Sequence, residues 1–297
     1  MASASPDWSL YRSFLAVLRE GSLSGAGRVL GISQPTLGRH IGALEEALGH
    51  RLFTRSPDGL IPTSAAKMLR PKAEALAAAA DALLRAASGL PGDDVGTVRI
   101  TASEIIAAEV IAPILAGMQR KHPGIVVELV VTNRLQDLLR RDADIAVRMT
   151  PPQQEALLAK RIGDVDLGLF AAPNYLEHHP VPQGVAELLD GHAIVGFDIP
   201  LPYTRTFRLL GQPVTRERFS FRTDSDTGQF AAIRVGCGIG VCHGPLARRE
   251  GLTPILPDIF SPKVGMWLCM HEDQRTISQC RLVFDCLANG LRSYVNG

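Results

Sequence analysis

Residues 22–55, SLSGAGRVLGISQPTLGRHIGALEEALGHRLFTR, decide the fold of the N-terminal part of this chain. A first helix carries Ala26, Val29 and Leu30 at helical spacing, with Ser22 or Ser24 placed to cap it. Gly31 ends that helix and Ile32 plugs the turn. Ser33 then caps a second helix, with Pro35 in the first turn, where a missing N–H costs nothing. Leu37, Ile41, Leu44 and Leu48 form one apolar stripe, and Gly49 stops the helix. The opposite face holds Pro35, Arg39, Gly42 and Ala43, with Thr36 beside them. A helix that is greasy on one side and small and polar on the other, entered by a tight turn, is built to enter a DNA major groove.

Outward from this stretch the pattern extends in both directions. Upstream, Leu10, Phe14, Val17 and Leu18 repeat at helical spacing and Gly21 fits a helix stop. Downstream, Arg51-Leu52-Phe53-Thr54-Arg55 reads as one arm of a hairpin turning at Ser56-Pro57-Asp58-Gly59. The whole is the layout of a winged helix-turn-helix. Residues 64–88 read as one long Ala-rich helix. Leu69, Leu76 and Leu83 recur every seven residues, flanked by Ala75, Ala79, Ala80 and Ala87, a narrow seam suited to pairing with a second copy. A spacer helix docked on its own domain is the alternative. Pro71 interrupts the pattern, and residues 88–96 read as a hinge.

From Val98 onward short β-branched runs alternate with helical segments. The strand candidates are 98–102, 125–132, 144–149, 165–172, 193–198, 219–223, 238–242 and 264–270; helices fit 105–120, 134–141, 226–235 and 276–293. Such alternation predicts an α/β sheet, largely parallel, and about 200 residues of it predict two lobes. Ligands in such folds bind in a crevice at the C-terminal ends of strands.

Bulk properties narrow the function class. The chain has 297 residues, 46% hydrophobic and 21% charged, as expected of a soluble globular protein of about two domains. Its formal net charge is +1, with ten basic against seven acidic residues up to position 88 and 21 against 23 beyond it. That N-terminal excess is a modest pointer to nucleic acid. Five cysteines, at 237, 242, 269, 280 and 286, include no C-x-x-C pair and no Cys/His cluster at zinc-finger spacing. Inert buried thiols are expected, with a redox-sensing Cys237/Cys242 pair as the alternative. A start without a secretory pattern, and no apolar run long enough to span a bilayer, predict a cytoplasmic protein with no membrane partner.

The N-terminal residues Phe14, Val17, Glu20-Gly21-Ser22, Ala26, Leu30, Ser33-Gln34-Pro35, Ile41, Leu44-Glu45, Leu48-Gly49 and Leu52-Phe53-Thr54-Arg55 recur at the spacing of the LysR-type transcriptional regulators, which the chain resembles over nearly its whole length. Looser carriers are VRITAS (98–103), HPGIVVEL (122–129), DADIAVR (142–148), LGLFAAPNYL (167–176) and GCGIGV (236–241). The resemblance implies a multi-domain protein: an all-α winged helix-turn-helix at 1–63, a dimerisation helix and hinge at 64–96, and an α/β two-lobed periplasmic-binding-protein-like domain at 97–297. Lobe 1 would take about 97–163 and 268–297, and lobe 2 about 164–267, with crossings near 162–165 and 264–268. It further implies double-stranded promoter DNA, a small-molecule effector such as an organic acid or aromatic metabolite, self-association to a dimer or tetramer, and RNA polymerase as partners. Gly38 departs from the family's frequent Ser, the wing lacks a second arginine, and Ser64-Ala65-Ala66 replaces a segment that often holds Gly.

Candidate DNA-binding residues are Ser33, Gln34, Pro35, Thr36, Arg39, Arg51 and Arg55. Gln34 suits bidentate pairing with adenine or, alternatively, helix capping. Pro35 and Thr36 offer apolar contact to a thymine methyl. Arg39 suits guanine or phosphate, or is a solvated charge, and Arg51 and Arg55 suit phosphate. His40 is expected to be structural. Candidate effector-binding residues are Ala102, Ser103, Glu104, Asn133, Arg148, Met149, Thr150, Phe197, Thr223 and Asp224. Hydroxyls at the helix start after Ala102 favour an anion, whereas Glu104 hints at an amine. Arg148 suits a carboxylate clamp or a salt bridge to Asp144. Asp224 and Ser225 suit a ligand or the cap of the helix at 226, and Phe197 suits pocket wall or core. The chain holds no G-x-S-x-G elbow, P-loop, G-x-G-x-x-G or H-E-x-x-H motif. No enzyme chemistry, cofactor or metal is therefore expected. The alternatives to a ligand-responsive regulator are a solute-binding protein and a ligand-insensitive DNA-binding protein of the same fold.

Overall fold

A computed structural model describes residues 6–57, 59–87, 95–133, 143–152, 157–198, 208–209, 212–213 and 215–297. The helix expected at 134–141, most of the hinge at 88–96, and Asp58 of the turn lie outside the described residues. The chain divides into two compact units at Leu84/Arg85.

The first unit opens with α1 (Trp8–Glu20), α2 (Leu23–Leu30) and α3 (Gln34–Leu48). All three end at a left-handed glycine, Gly21, Gly31 and Gly49, as their positions in the sequence suggest. Asp7, Ser22 and Ser33 cap the three N-termini through their side-chain oxygens. Phe14, Val17, Ala26, Leu37, Ile41, Leu44 and Leu52 share one buried cluster, with Ile32 and Leu48 packed against it. Val29 departs from the expected inner face: it is 65% exposed. Gly25, Ala26 and Gly27 are buried instead. A Cβ at Gly27 would lie 2.7 Å from the Ile32 carbonyl oxygen, so α2 approaches the turn through its glycines, not through Val29.

Strands β1 (Phe53–Ser56) and β2 (Gly59–Pro62) pair antiparallel across a two-residue turn. The amide of Leu60 donates to the Gly21 carbonyl oxygen at 2.8 Å. Gly59 has φ 128°, and a Cβ there would sit 2.6 Å from the same oxygen. Only glycine permits both the conformation and the approach. Helix α4 (Ser64–Ala87) runs unbroken through Pro71. Of the expected heptad seam, Leu69 packs against the cluster of the first unit, while Leu76 and Leu83, together with Met68 and Leu84, are exposed.

The second unit contains β3 (Gly96–Ala102), α5 (Glu104–Ile106), a π-helical turn (Ala107–Ile111), α6 (Ala112–Lys121), β4 (Ile125–Val131), β5 (Ile145–Arg148) and β6 (Leu157–Ala171). There follow α7 (Pro173–Leu176), α8 (Val185–Gly191), β7 (Ile194–Phe197), the two-residue strands β8 (Arg208–Leu209) and β9 (Gln212–Pro213), a 3-10 turn (Arg216–Arg218), β10 (Phe221–Thr223) and α9 (Asp226–Val235). The chain then forms β11 (Ile239–His243), α10 (Gly244–Arg249), β12 (Thr253–Ile255), β13 (Lys263–His271), a second 3-10 turn (Glu272–Thr276) and α11 (Ser278–Asn296).

The strand order is β10-β7-β11-β6-β13-β5-β3-β4, with β12 also on β6. Each lobe has a parallel trio, β4-β3-β5 in one and β10-β7-β11 in the other. The expectation of a largely parallel sheet holds for these trios but not for β6 and β13, which pair antiparallel with each other and with the trios. β6 pairs with β13 up to Asp166 and with β11 and β12 from Leu167 onward. The two crossings between lobes are therefore one two-stranded ribbon, with a register shift between Met266 and Trp267. One buried apolar cluster runs from Ile100, Ile106 and Ile111 to Val195, Phe230, Ile233 and Leu246, so it joins both lobes. Asp144, buried at the start of β5, accepts from Arg85 at 3.1 Å and from the Arg99 amide at 2.8 Å.

Candidate nucleic-acid interface and effector crevice

The DNA-facing candidates of the first unit gather at the start of α3. Ser33 Oγ accepts from the Thr36 amide at 3.3 Å and lies 2.9 Å from Thr36 Oγ1. Arg39 Nη2 donates to Thr36 Oγ1 at 3.3 Å. The guanidinium is thus held over the first turn rather than free in solvent. Gln34, Pro35, Arg39, Gly42 and Ala43 are exposed while Leu37, Ile41 and Leu44 are buried, so the helix presents its polar face outward. Ser33 fills the capping role, which leaves the Gln34 side chain outside it. His40 Nδ1 lies 2.8 Å from the buried Ser13 hydroxyl, a tie between α1 and α3, in line with a structural histidine.

Arg51 lies just before β1 and Arg55 within it, next to the turn, and both are exposed. Arg51 Nη1 donates to Glu45 Oε2 at 3.1 Å, so this guanidinium already has a carboxylate. Glu45 Oε1 also accepts the Leu52 amide at 2.7 Å and the Phe53 amide at 3.3 Å. Glu45 therefore fixes the hairpin to α3, a role that its position among the family-like residues did not specify.

In the second unit the effector candidates lie at or just beyond strand C-termini. Ala102 ends β3, Asn133 follows β4, Arg148 ends β5 ahead of Met149 and Thr150, Phe197 ends β7, and Thr223 ends β10 ahead of Asp224. The Ala102 carbonyl accepts from the Thr132 amide at 2.9 Å, and Asn133 Oδ1 accepts from the Glu104 amide at 3.1 Å. These bonds fix the loop after β3. Ser103 flanks α5 without a side-chain cap bond.

Two expectations are corrected here. Arg148 is buried, and its Nη1 donates to the carbonyls of Thr101 at 3.0 Å and Val147 at 2.9 Å, with Nη2 on Thr101 Oγ1 at 3.3 Å. It braces β3 and β5, and the carboxylate of Asp144 goes to Arg85 instead. Glu104 does not stand open for an amine. Its Oε1 accepts from Ser225 Oγ at 2.9 Å and Thr227 Oγ1 at 2.8 Å, and its Oε2 accepts from the Asp226 amide at 2.9 Å. Burial pushes its carboxyl up, but the bonds from Thr227, Ser225 and the backbone outweigh this and hold it below the usual glutamate value. Ser225 also caps α9, accepting from the Gly228 amide at 2.9 Å.

Family models match both units: "Bacterial regulatory helix-turn-helix protein, lysR family" over residues 8–67 and "LysR substrate binding domain" over residues 91–292. The chain belongs to the LysR family of transcriptional regulators. The regulator is 30% identical to the HTH-type transcriptional regulator PgrR of Escherichia coli (strain K12) over 183 residues, spanning 61% of each chain. It is 26% identical to the HTH-type transcriptional regulator CrgA of Neisseria meningitidis serogroup C (strain 8013), covering 96% of this chain and 97% of that one. Its fold is similar to the full-length structure of the Vibrio cholerae virulence activator AphB, with TM-score 0.62 and 24% identity over 95% of this chain and 99% of that one.

Thr227 joins the contact with Glu104 without any motif to mark it. A Ser-Asp-Thr run at a helix start, one residue past a strand end, is the local signal that would have raised it. The thiols divide as burial dictates: Cys242 and Cys280 are pushed up to about 12 and Cys269 to about 11 by desolvation, while Cys237 is exposed. A Cys237/Cys242 redox pair is thus disfavoured, because Cys242 faces the core as a thiol and not a thiolate. A cavity of about 500 Å³ lies at the N-terminal end of β7, lined by His178, His179, Glu187, Asp190 and His192. Burial and the neighbouring His179 lower the pKa of His192. This cavity is at the end of the strand opposite to the effector candidates. Among the described residues no group of three or more His, Cys, Asp and Glu is placed to hold a metal, and no helix is long and apolar enough to cross a membrane.

Proposed function

We propose that the regulator binds promoter DNA as a self-associated assembly and that a small-molecule effector in the crevice between its lobes tunes that binding. The exposed polar start of α3, opposite a fully buried stripe, carries this reading. Gln34 reads a base edge in the major groove, Pro35 and Thr36 meet a thymine methyl, and Arg39, steered by Thr36, takes guanine or phosphate. Arg55, and Arg51 after leaving Glu45, take phosphates. Exposed Met68, Leu76, Leu83 and Leu84 on α4 are the surface for a second copy. Functional boundaries follow at 1–63, 64–96 and 97–297. The protein works in the cytoplasm with RNA polymerase as a further partner, and it acts by binding and not by catalysis.

The effector reading rests on convergence of the strand ends. A ligand-insensitive regulator is the second reading, favoured by the apolar cluster that joins the lobes and by the Glu104 bridge. Selection of genomic fragments by the purified protein, with and without metabolite pools, tests both. Enriched promoters with a two-fold symmetric motif support the DNA role, and enrichment that metabolites alter supports the effector role. No enrichment under either condition refutes the DNA role; enrichment indifferent to every pool favours the second reading.

A further inference from the structure

We infer that Glu104 is a built-in carboxylate ligand: it fills an anion seat at the N-terminus of α9 from the opposite lobe and closes that seat to carboxylate effectors. The inference deepens the effector reading, and its consequence for effector choice rests on that reading.

The seat consists of the Ser225 and Thr227 hydroxyls and the Asp226 amide, all donating to one carboxylate at 2.8–2.9 Å. They stand at the positive end of a ten-residue helix. Two hydroxyls and an amide at a helix start are the donors a free carboxylate would use. Here the carboxylate arrives on a side chain from more than 120 residues away. Its own amide is pinned by Asn133, so the side chain leaves a fixed backbone. Ser225 Oγ gives its one proton to Glu104 and accepts from Gly228, so it has no donor to spare for a second anion.

Two further contacts tie the same faces of the lobes together. Arg249 of α10 binds Glu109 of the π-helical turn through the side chain and through the Glu109 carbonyl at 2.9 Å. Ile105 and Ile106, beside Glu104, lie in one apolar cluster with Phe230 and Ile233 of α9. The tethered anion is half-buried and lies beside this packed apolar surface. A tethered group acts at an effective concentration of millimolar or more. A free carboxylate at metabolite levels does not displace it. An effector of this crevice is consequently a molecule with no carboxylate at the α9 end, or one that reaches its site without opening this contact.

The experiment uses the full chain and acetate as probe, exchanging sodium chloride for sodium acetate at constant ionic strength, with the melting temperature as readout. The wild-type protein is expected to respond to acetate less than a variant without the tethered carboxylate, because the tether holds the seat at an effective concentration of millimolar or more. Glu104→Ala is expected to melt about 2–4 °C lower and to recover part of that loss in acetate. Glu104→Ala combined with Ser225→Ala and Thr227→Val is expected to lose the acetate response. Equal stabilisation of wild type and variant by acetate, or a Glu104→Ala protein that melts like wild type and ignores acetate, overturns the inference. Glu104→Gln keeps the side-chain volume and guards against misfolding: hydrogen exchange at the first-turn amides of α9 should accelerate, and unchanged protection also overturns it. No DNA enters these measurements. Failure of the promoter selection leaves the seat intact, and failure of the acetate response leaves the DNA role intact.

Discussion

Replacing Glu45 should destabilise the DNA-binding unit far more than replacing the arginine it pairs with. The Glu45 carboxylate, 10% exposed, receives the Leu52 amide at 2.7 Å, the Phe53 amide at 3.3 Å and Arg51 at 3.1 Å. Leu52 is fully buried, so its amide has no access to water once the carboxylate is gone. A hydrogen bond to a charged group contributes about 1.5–3 kcal/mol, and an orphaned buried amide costs a similar amount. The Phe53 bond is long and adds less. Arg51 is 85% exposed, and such an ion pair contributes about 0–1 kcal/mol. Glu45→Ala should therefore cost about 3 kcal/mol and Arg51→Ala less than about 0.5 kcal/mol. Glu45→Gln, which keeps an acceptor but not the charge, should fall between them. The chain has two tryptophans, Trp8 in α1 and Trp267 in β13. Urea unfolding followed by Trp8 fluorescence in a Trp267→Phe background isolates the unit of interest. If Arg51→Ala costs as much as Glu45→Ala, the ion pair and not the two amides holds the hairpin, and the reasoning fails.

Four other outcomes are expected. Gln34→Ala should lose about 1–3 kcal/mol of discrimination at one base position; an unchanged ranking of binding sequences would remove Gln34 from base recognition. Arg55→Ala should weaken all DNA about equally and flatten the salt slope by about one unit, whereas a sequence-selective loss in a titration across salt concentrations would contradict a phosphate role. Asp144→Ala should destabilise the second unit by about 3–5 kcal/mol, since it removes the buried carboxylate that Arg85 and the Arg99 amide share; denaturation monitored at Trp267 measures it, and a loss under about 1 kcal/mol would contradict that range. His243, whose Nδ1 lies 2.7 Å from the Tyr294 hydroxyl, is lowered by burial from 6.5 to about 4. Its folded pKa lies below its unfolded one, so its contribution is complete above pH 6.5 and is lost as pH falls toward 4. His243→Gln should flatten that part of the stability profile, and an identical profile would show that another group dominates.

Local chemistry made the first unit legible. Caps, left-handed glycines and a four-residue stripe act over a few residues, and they specify α1, α2 and α3 without reference to the rest of the chain. Val29 is not legible in this way, because a helix of eight residues offers two candidate faces, and the close approach through Gly27 chooses between them. The second unit was legible in its strand ends but not in its long-range chemistry. The first half of β6 was not foreseen: residues such as Lys160, Arg161 and Asp164 show no alternation, because pairing with β13 across the crossing and not burial of one face sets their conformation. α7, α8 and α10 are four to seven residues long and take their shape from packing around them. Arg148 and Glu104 were both identified as crevice residues from strand position. Which way each side chain turns depends on Thr101 and on Ser225–Thr227, and spacing in the sequence does not encode that.

The ribbon of β6 and β13 has a mechanical meaning. Lobes joined by two slack linkers swing about a pin, in any direction and without restoring force. Lobes joined by two strands that are hydrogen-bonded to each other move by bending that pair, and sliding one strand past the other would break the ladder. Gly163 and Gly265 lie beside the register shift, where a Cβ at either would collide with Val295 or Trp267 respectively. The joint is thus thin at one place and packed against fixed neighbours on both sides. Such a joint resembles a leaf spring: it resists sliding and twisting of one lobe past the other more than bending across the ribbon.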